Sequence, residues 1–104
     1  MTIWFIEGST GEYSDHREWP VCAYTRKEDA ESHVAAASAA AREISEKVRA
    51  LHEGSGGWDY EAQELLIRQN QFDPDMRLDY TGTHYTCYEV ELRDSFQSPS
   101  EAAR

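Results

Sequence analysis

The chain is short of cysteine, short of base and without a long apolar run, and each shortage argues against a class of function. Its two cysteines, Cys22 and Cys87, stand far apart. They are too few for the disulfide framework of a small secreted domain, so free thiols in a cytosolic protein are expected. Lysine and arginine total 10 against 20 acids, giving a net charge of −10. Such a chain repels phosphates, which argues against nucleic acid or an anionic membrane as a direct ligand. The charge suits a basic partner surface instead. The apolar run from Met1 to Ile6 breaks at Glu7 and Gly8. It has no basic leader and is too short for a signal peptide or a membrane span, so a cytoplasmic protein is expected.

Signatures of catalysis and of cofactors are missing too. Gly54-Ser55-Gly56-Gly57 follows a helical stretch rather than a strand, so it is not a phosphate-binding loop. Asp73, Asp75 and Asp79 match a calcium loop only in charge, because its glycine and closing glutamate are absent. His84 and Cys87 have the spacing of two metal ligands on a turn, with Cys22 as a conceivable third. Structural zinc draws on paired motifs that are not here, and Cys87 lies among aromatic residues, so a buried thiol is the better reading. Glu12, Ser14, Asp15 and His16 cluster, but with no nucleophile motif or base–orienter pair they read as a solvated hairpin rim. The expectation is a non-enzymatic protein with no cofactor and no metal.

What is present is enough for one domain. The 104 residues are 39% hydrophobic and 12% aromatic, near the usual size for a single core. The domain is expected over Met1 to Asp94, with a frayed Ser/Pro/Ala-rich tail from Ser95 to Arg104.

The dominant stretch is Thr25 to Gly54. Ala30, Val34, Ala37, Ala41, Ile44, Val48 and Leu51 fall on one helical stripe. Thr25 and Glu28 form a capping-box pattern, Glu28, Asp29 and Glu31 suit the positive helix end, and Gly54 suits the stop. The helix should be about 40 Å long. A heptad-spaced stripe also fits a coiled-coil seam, but packing on the chain's own sheet is favoured, because the neighbouring segments carry apolar faces that need cover. A monomer is therefore favoured over a homodimer through this helix.

Around it, Thr2 to Glu7 reads as a central strand, apolar on both faces and covered on both sides. Gly8 to Glu12 is turn chemistry. Trp19 to Tyr24 reads as an edge strand because of Pro20, with Trp19, Val21 and Ala23 on one face and Cys22 and Tyr24 on the other. Trp58 to about Phe72 reads as a second helix, with Asp59 as N-cap and Trp58, Ala62, Leu65, Leu66 and Phe72 on its apolar side. Asp73-Pro74 ends it. Tyr85 to Leu92 is a third strand, with Tyr88, Val90 and Leu92 on one face and Cys87, Glu89 and Glu91 on the other. The expected fold is α+β: a small antiparallel-type three-stranded sheet backed by one long helix and a shorter one, in the order ββααβ.

The acids cluster. Between Glu53 and Asp79 lie Asp59, Glu61, Glu64, Asp73 and Asp75, opposed only by Arg68 and Arg77. Glu89 and Glu91 share a strand face, about 7 Å apart. Carboxylates at such intervals imitate a row of phosphates, and Asp59, Glu61, Glu64, Asp73, Asp75, Asp79, Glu89 and Glu91 are the candidate partner contacts. The alternative is an ordinary solvated acidic surface.

In size, charge, element order and lack of catalytic motifs, the whole chain resembles the small acidic proteins that phages encode against bacterial defence. The turn Gly11-Glu12-Tyr13-Ser14-Asp15, the following Trp/Val/Ala/Tyr strand and the Glu-rich helix start also look like small phage proteins. Within that group it is most similar in character to anti-CRISPR proteins acting on type I CRISPR-Cas surveillance complexes. The resemblance implies an inhibitor in the host bacterial cytoplasm. Its acidic, DNA-mimicking face would bind a basic nucleic-acid-binding surface of the complex and block target DNA recognition. The alternative is a non-enzymatic phage interaction module or homodimeric adaptor.

Overall fold

The computed structural model describes residues 1–55, 59–79 and 81–96. The expected Trp58 start of the second helix and the tail beyond Phe96 lie outside them. Three strands, β1 (Thr2–Thr10), β2 (Arg17–Tyr24) and β3 (Thr83–Glu91), join two helices, α1 (Lys27–Ser55) and α2 (Tyr60–Gln69). The sheet is antiparallel in the order β2-β1-β3. This is the expected α+β fold, with β1 central and the proline-bearing β2 at an edge.

The helical stripe does what its spacing implies. Ala30, Ala37, Ala41, Ile44 and Val48 are buried and share one core with Ile6, Ile67, Met76 and Tyr85. Ile6 and Val48 are fully buried, and burial of a side chain of this size stabilises by about 1.5–3 kcal/mol. At 29 residues, α1 is about 43 Å long, whereas the nine residues of β1 span about 30 Å. The helix outruns the sheet, and Ile67 and Met76 extend the core beyond it. The stripe stops one turn early, since Leu51 is 46% exposed. Its start also shifts: the first helical bond runs from the Ala30 N–H to the Arg26 carbonyl (3.3 Å), so Arg26 rather than Thr25 holds the cap position.

Three local readings change. First, β1 continues through Thr10, because Gly8 serves a close approach rather than a turn. Gly8 lies between Trp19 and Tyr85 in register, and a Cβ there would fall 2.5 Å from the Trp19 ring. The actual turn is at Gly11, whose φ of +79° favours glycine.

Second, β2 carries a bulge. Ile6 pairs with Cys22 but Glu7 pairs with Pro20, leaving Val21 as the extra residue. The alternation resets there, so Trp19 shares the helix-covered face with Cys22 and Tyr24. The expected division of that strand was wrong on this point.

Third, α2 ends at Gln69, three residues before Phe72. Asn70 caps it: its side chain donates to the Ile67 carbonyl (2.6 Å) and accepts from the Phe72 and Asp73 N–H groups (3.0 and 2.8 Å).

The helices cover one face of the sheet. Trp4, Ile6, Gly8 and Thr10 point toward them, and Ile3, Phe5, Glu7 and Ser9 point away. Among the described residues no element covers the second face, contrary to the two-sided cover expected for β1. Among the described residues no helix is long and apolar enough to cross a membrane.

Candidate partner-binding surface

The candidate carboxylates fall into distinct structural positions. Asp59 is the N-cap of α2, its side chain accepting from the Ala62 N–H (3.0 Å). Glu61 follows in the first helical turn. Glu64 faces Arg68 one turn on, at 3.6 Å. Asp75 is exposed on the loop after α2. Asp79 is half-buried and accepts from the Thr81 N–H and hydroxyl (2.9 and 3.0 Å). Glu64, Asp75 and Asp79 line one groove of about 930 Å³, between the loop, α2 and the Arg17 end of β2.

Asp73 must be removed from the set. It is 1% exposed and satisfied from inside. Its Oδ2 accepts from the Trp19 indole N–H (2.8 Å) and the Tyr85 hydroxyl (2.6 Å), and its Oδ1 from the Asp75 N–H (3.2 Å). Trp19 and Tyr85 meet edge-to-face, ring centroids 6.4 Å apart. One buried carboxylate thus ties β2 and β3 to the loop across Gly8. Burial, then the hydrogen bond to Asp73, pushes the Tyr85 hydroxyl pKa well up, so this phenol stays a donor. Sequence alone grouped Asp73 with Asp75 and Asp79 because charge pattern does not report depth.

Glu89 and Glu91 are exposed but stand apart from the others. They pair in register with Trp4 and Thr2, about 20 and 27 Å along β3 from Thr83, whose partner Thr10 lines the groove. Glu91 also holds Arg93 (3.1 Å). The seven remaining candidates therefore do not form one row: five lie on α2 and the loop after it, and Glu89 and Glu91 stand apart on β3. Asp59, Glu61, Asp75 and Glu89 make no ion pair among the described residues.

No arrangement for covalent chemistry appears among the described residues. His16 does not serve Ser14. Its Nε2 lies 2.8 Å from the Glu18 carboxylate and its Nδ1 3.2 Å from the Gly11 carbonyl. Both partners are acceptors, so the doubly protonated ring is favoured. The hydrogen bond to Glu18 accordingly raises the His16 pKa and lowers that of Glu18.

Cys22 approaches His33 Nδ1 at 3.7 Å, a pairing the sequence reading missed. The geometry does not make a nucleophile. His33 Nε2 donates to the Phe72 carbonyl (2.7 Å), so Nδ1 is the acceptor, and the Tyr24 hydroxyl already fills it at 2.8 Å. Burial raises the thiol pKa further, opposite to what a reactive cysteine needs. His33 is a tie between β2, α1 and the loop. The available signal was its spacing: it follows the buried Ala30 by three residues.

Cys22 and Cys87 both pair with Ile6, one from each side. Two strand spacings put them about 9–10 Å apart, beyond disulfide reach, and both are free. His84 pairs with Ser9 on the opposite face from Cys87, so the conceived metal set is not assembled. Among the described residues no group of His, Cys, Asp and Glu is placed to hold a metal ion. Comparison with protein-family models, curated proteins and solved structures finds no match to this chain.

Proposed function

We propose that the protein is a non-catalytic inhibitor that binds a basic, nucleic-acid-binding surface through carboxylates standing in for phosphates. The observation that carries this is the state of its acids. Among the described residues every Asp and Glu except Glu7, Asp73 and Asp79 is exposed, on a chain of net charge −10. Asp59, Glu61 and Asp75, around α2, have no cation partner among the described residues, and each can accept from Lys or Arg of a partner. The working face is Asp59, Glu61, Glu64, Asp75 and Asp79, with Glu89 and Glu91 as a separate second patch. The target class is the DNA-binding surface of a type I CRISPR-Cas surveillance complex, which rests on the resemblance described above.

Burial of the helical stripe within the chain itself supports the monomer over a homodimer through that helix. Ala37 is fully buried and Ala41 is 3% exposed, so the middle of the stripe is occupied by the chain's own core.

The test is a triple charge reversal, Glu61→Lys, Glu64→Lys and Asp75→Lys. Binding to the complex is expected to be lost. Stability should fall only by about 0.6–1.5 kcal/mol, from the first-turn position of Glu61 and the Glu64–Arg68 pair. Full binding by the folded variant would move the site off this face.

A further inference from the structure

The face of the sheet turned away from the helices carries an apolar row. Ile3 pairs with Val90, and Phe5 lies between Ala23 and Tyr88. The Phe5 and Tyr88 rings meet at a tilt of 51°, their centroids 5.5 Å apart. Ile3, Phe5 and Val90 are half-buried, while Ala23 is exposed and Tyr88 is 45% exposed, with Leu92 just beyond at 50%. A partly exposed apolar row with no covering element among the described residues suits an interaction site, and Tyr and Phe are enriched in such sites.

A line of polar groups crosses the same face beside it. His16 meets Glu18, and Glu18 and Tyr88 flank Glu7 on this face, because they pair with Ser9 and Phe5, its two same-face neighbours on β1. Two carboxyls thus lie side by side, with His16 as the cationic neighbour of one. The neighbouring Glu18 carboxyl raises the Glu7 pKa, the response of a carboxyl crowded by another.

We infer that this open sheet face docks a segment of a partner protein that presents apolar side chains flanked by lysine or arginine. The apolar side chains would cover the Phe5–Tyr88 row, and the cation would sit at the Glu7–Glu18 pair. Charge complementarity selects this occupant. A second copy of the chain would bring another −10 against the same carboxyls, and like charges facing one another disfavour the contact. The face is separate from the acidic surface around α2, which lies on the helix side of the sheet.

The experiment is an NMR titration of the whole protein with a short amphipathic peptide of leucine and lysine. A matched peptide of leucine and glutamate is the control. Amide shifts confined to Ile3, Phe5, Glu7, Ala23, Tyr88 and Val90, produced by the lysine peptide alone and reduced by salt, are the expected result. They should disappear in Tyr88→Ser, a substitution at an exposed position, with the circular dichroism spectrum unchanged. They should persist in the Glu61, Glu64, Asp75 reversal, which separates this inference from the function proposed above.

Equal shifts with both peptides, or none with either, would overturn it. So would loss of the shifts in the triple variant. Sedimentation of the free protein as a dimer that Tyr88→Ser dissociates would assign the face to a second copy. Nuclear Overhauser contacts from Tyr88 to Ala102 or Ala103 would assign it to the chain's own tail. Either result contradicts the inference.

Discussion

Asp73 gives the sharpest test of how the fold is held. Replacing it with alanine strips the acceptor from two buried donors, the Trp19 indole N–H at 2.8 Å and the Tyr85 hydroxyl at 2.6 Å. Trp19 and Tyr85 are 8% and 6% exposed, so water does not readily replace the carboxylate. A buried donor left unsatisfied costs about 1–3 kcal/mol. Two of them give about 2–6 kcal/mol, a large part of the roughly 5–15 kcal/mol that holds a domain.

Asp73→Asn should be milder. Both donors reach the same oxygen, Oδ2, and an amide oxygen placed there accepts from both. What changes is the other position, where the amide NH₂ would oppose the Asp75 N–H that now donates to Oδ1 at 3.2 Å. The loss should be about 1–3 kcal/mol. Urea denaturation followed by far-UV circular dichroism measures both. The expected order is wild type, then Asn, then Ala. An alanine variant within about 1 kcal/mol of wild type would refute the view that this carboxylate ties β2, β3 and the loop together.

Two further outcomes follow from the geometry. Ala41→Glu places an unpaired charge at a site 3% exposed; it should cost about 4 kcal/mol or more and unfold the monomer in a thermal melt, whereas a folded monomeric variant would contradict burial of the stripe within the chain. The His16 ring should titrate by NMR above its ordinary 6.5 because of Glu18. Its contribution to stability is therefore complete below pH 6.5 and lost as pH rises through the raised value. Glu18→Gln should return the midpoint toward 6.5, and a wild-type midpoint at or below 6.5 would refute the pairing.

The fold was legible where periodicity alone decides. The alternating three- and four-residue spacing from Ala30 to Val48 identified α1, its buried face and its role. Asp59 was legible as a cap because a carboxylate before a helical stretch has a local job. Pro20 marked the edge strand because it lacks an N–H. The misreadings came where one residue breaks a pattern. The bulge at Val21 moved Trp19 to the other face, and nothing in Trp-Pro-Val-Cys announces an extra residue. Asn70 ended α2 by bonding its side chain to four backbone groups, three residues before the more conspicuous Asp73-Pro74. Gly8 looked like a turn, but its reason is a tryptophan ring that arrives from another strand. Asp73 and His33 were hidden for the same cause. Both owe their roles to partners elsewhere in the chain; spacing puts His33 near the buried side of α1, but it does not identify those partners.

The central claim is that exposed carboxylates around α2 compete with DNA for a basic surface. Binding of the protein to a purified type I surveillance complex, measured across a salt series with and without target DNA, tests it most directly. Exposed charge pairs weaken as the screening length shortens. Affinity should fall steeply with salt, and saturating target DNA should abolish binding. Salt-insensitive binding, or simultaneous binding of protein and DNA, would contradict the mimic mechanism.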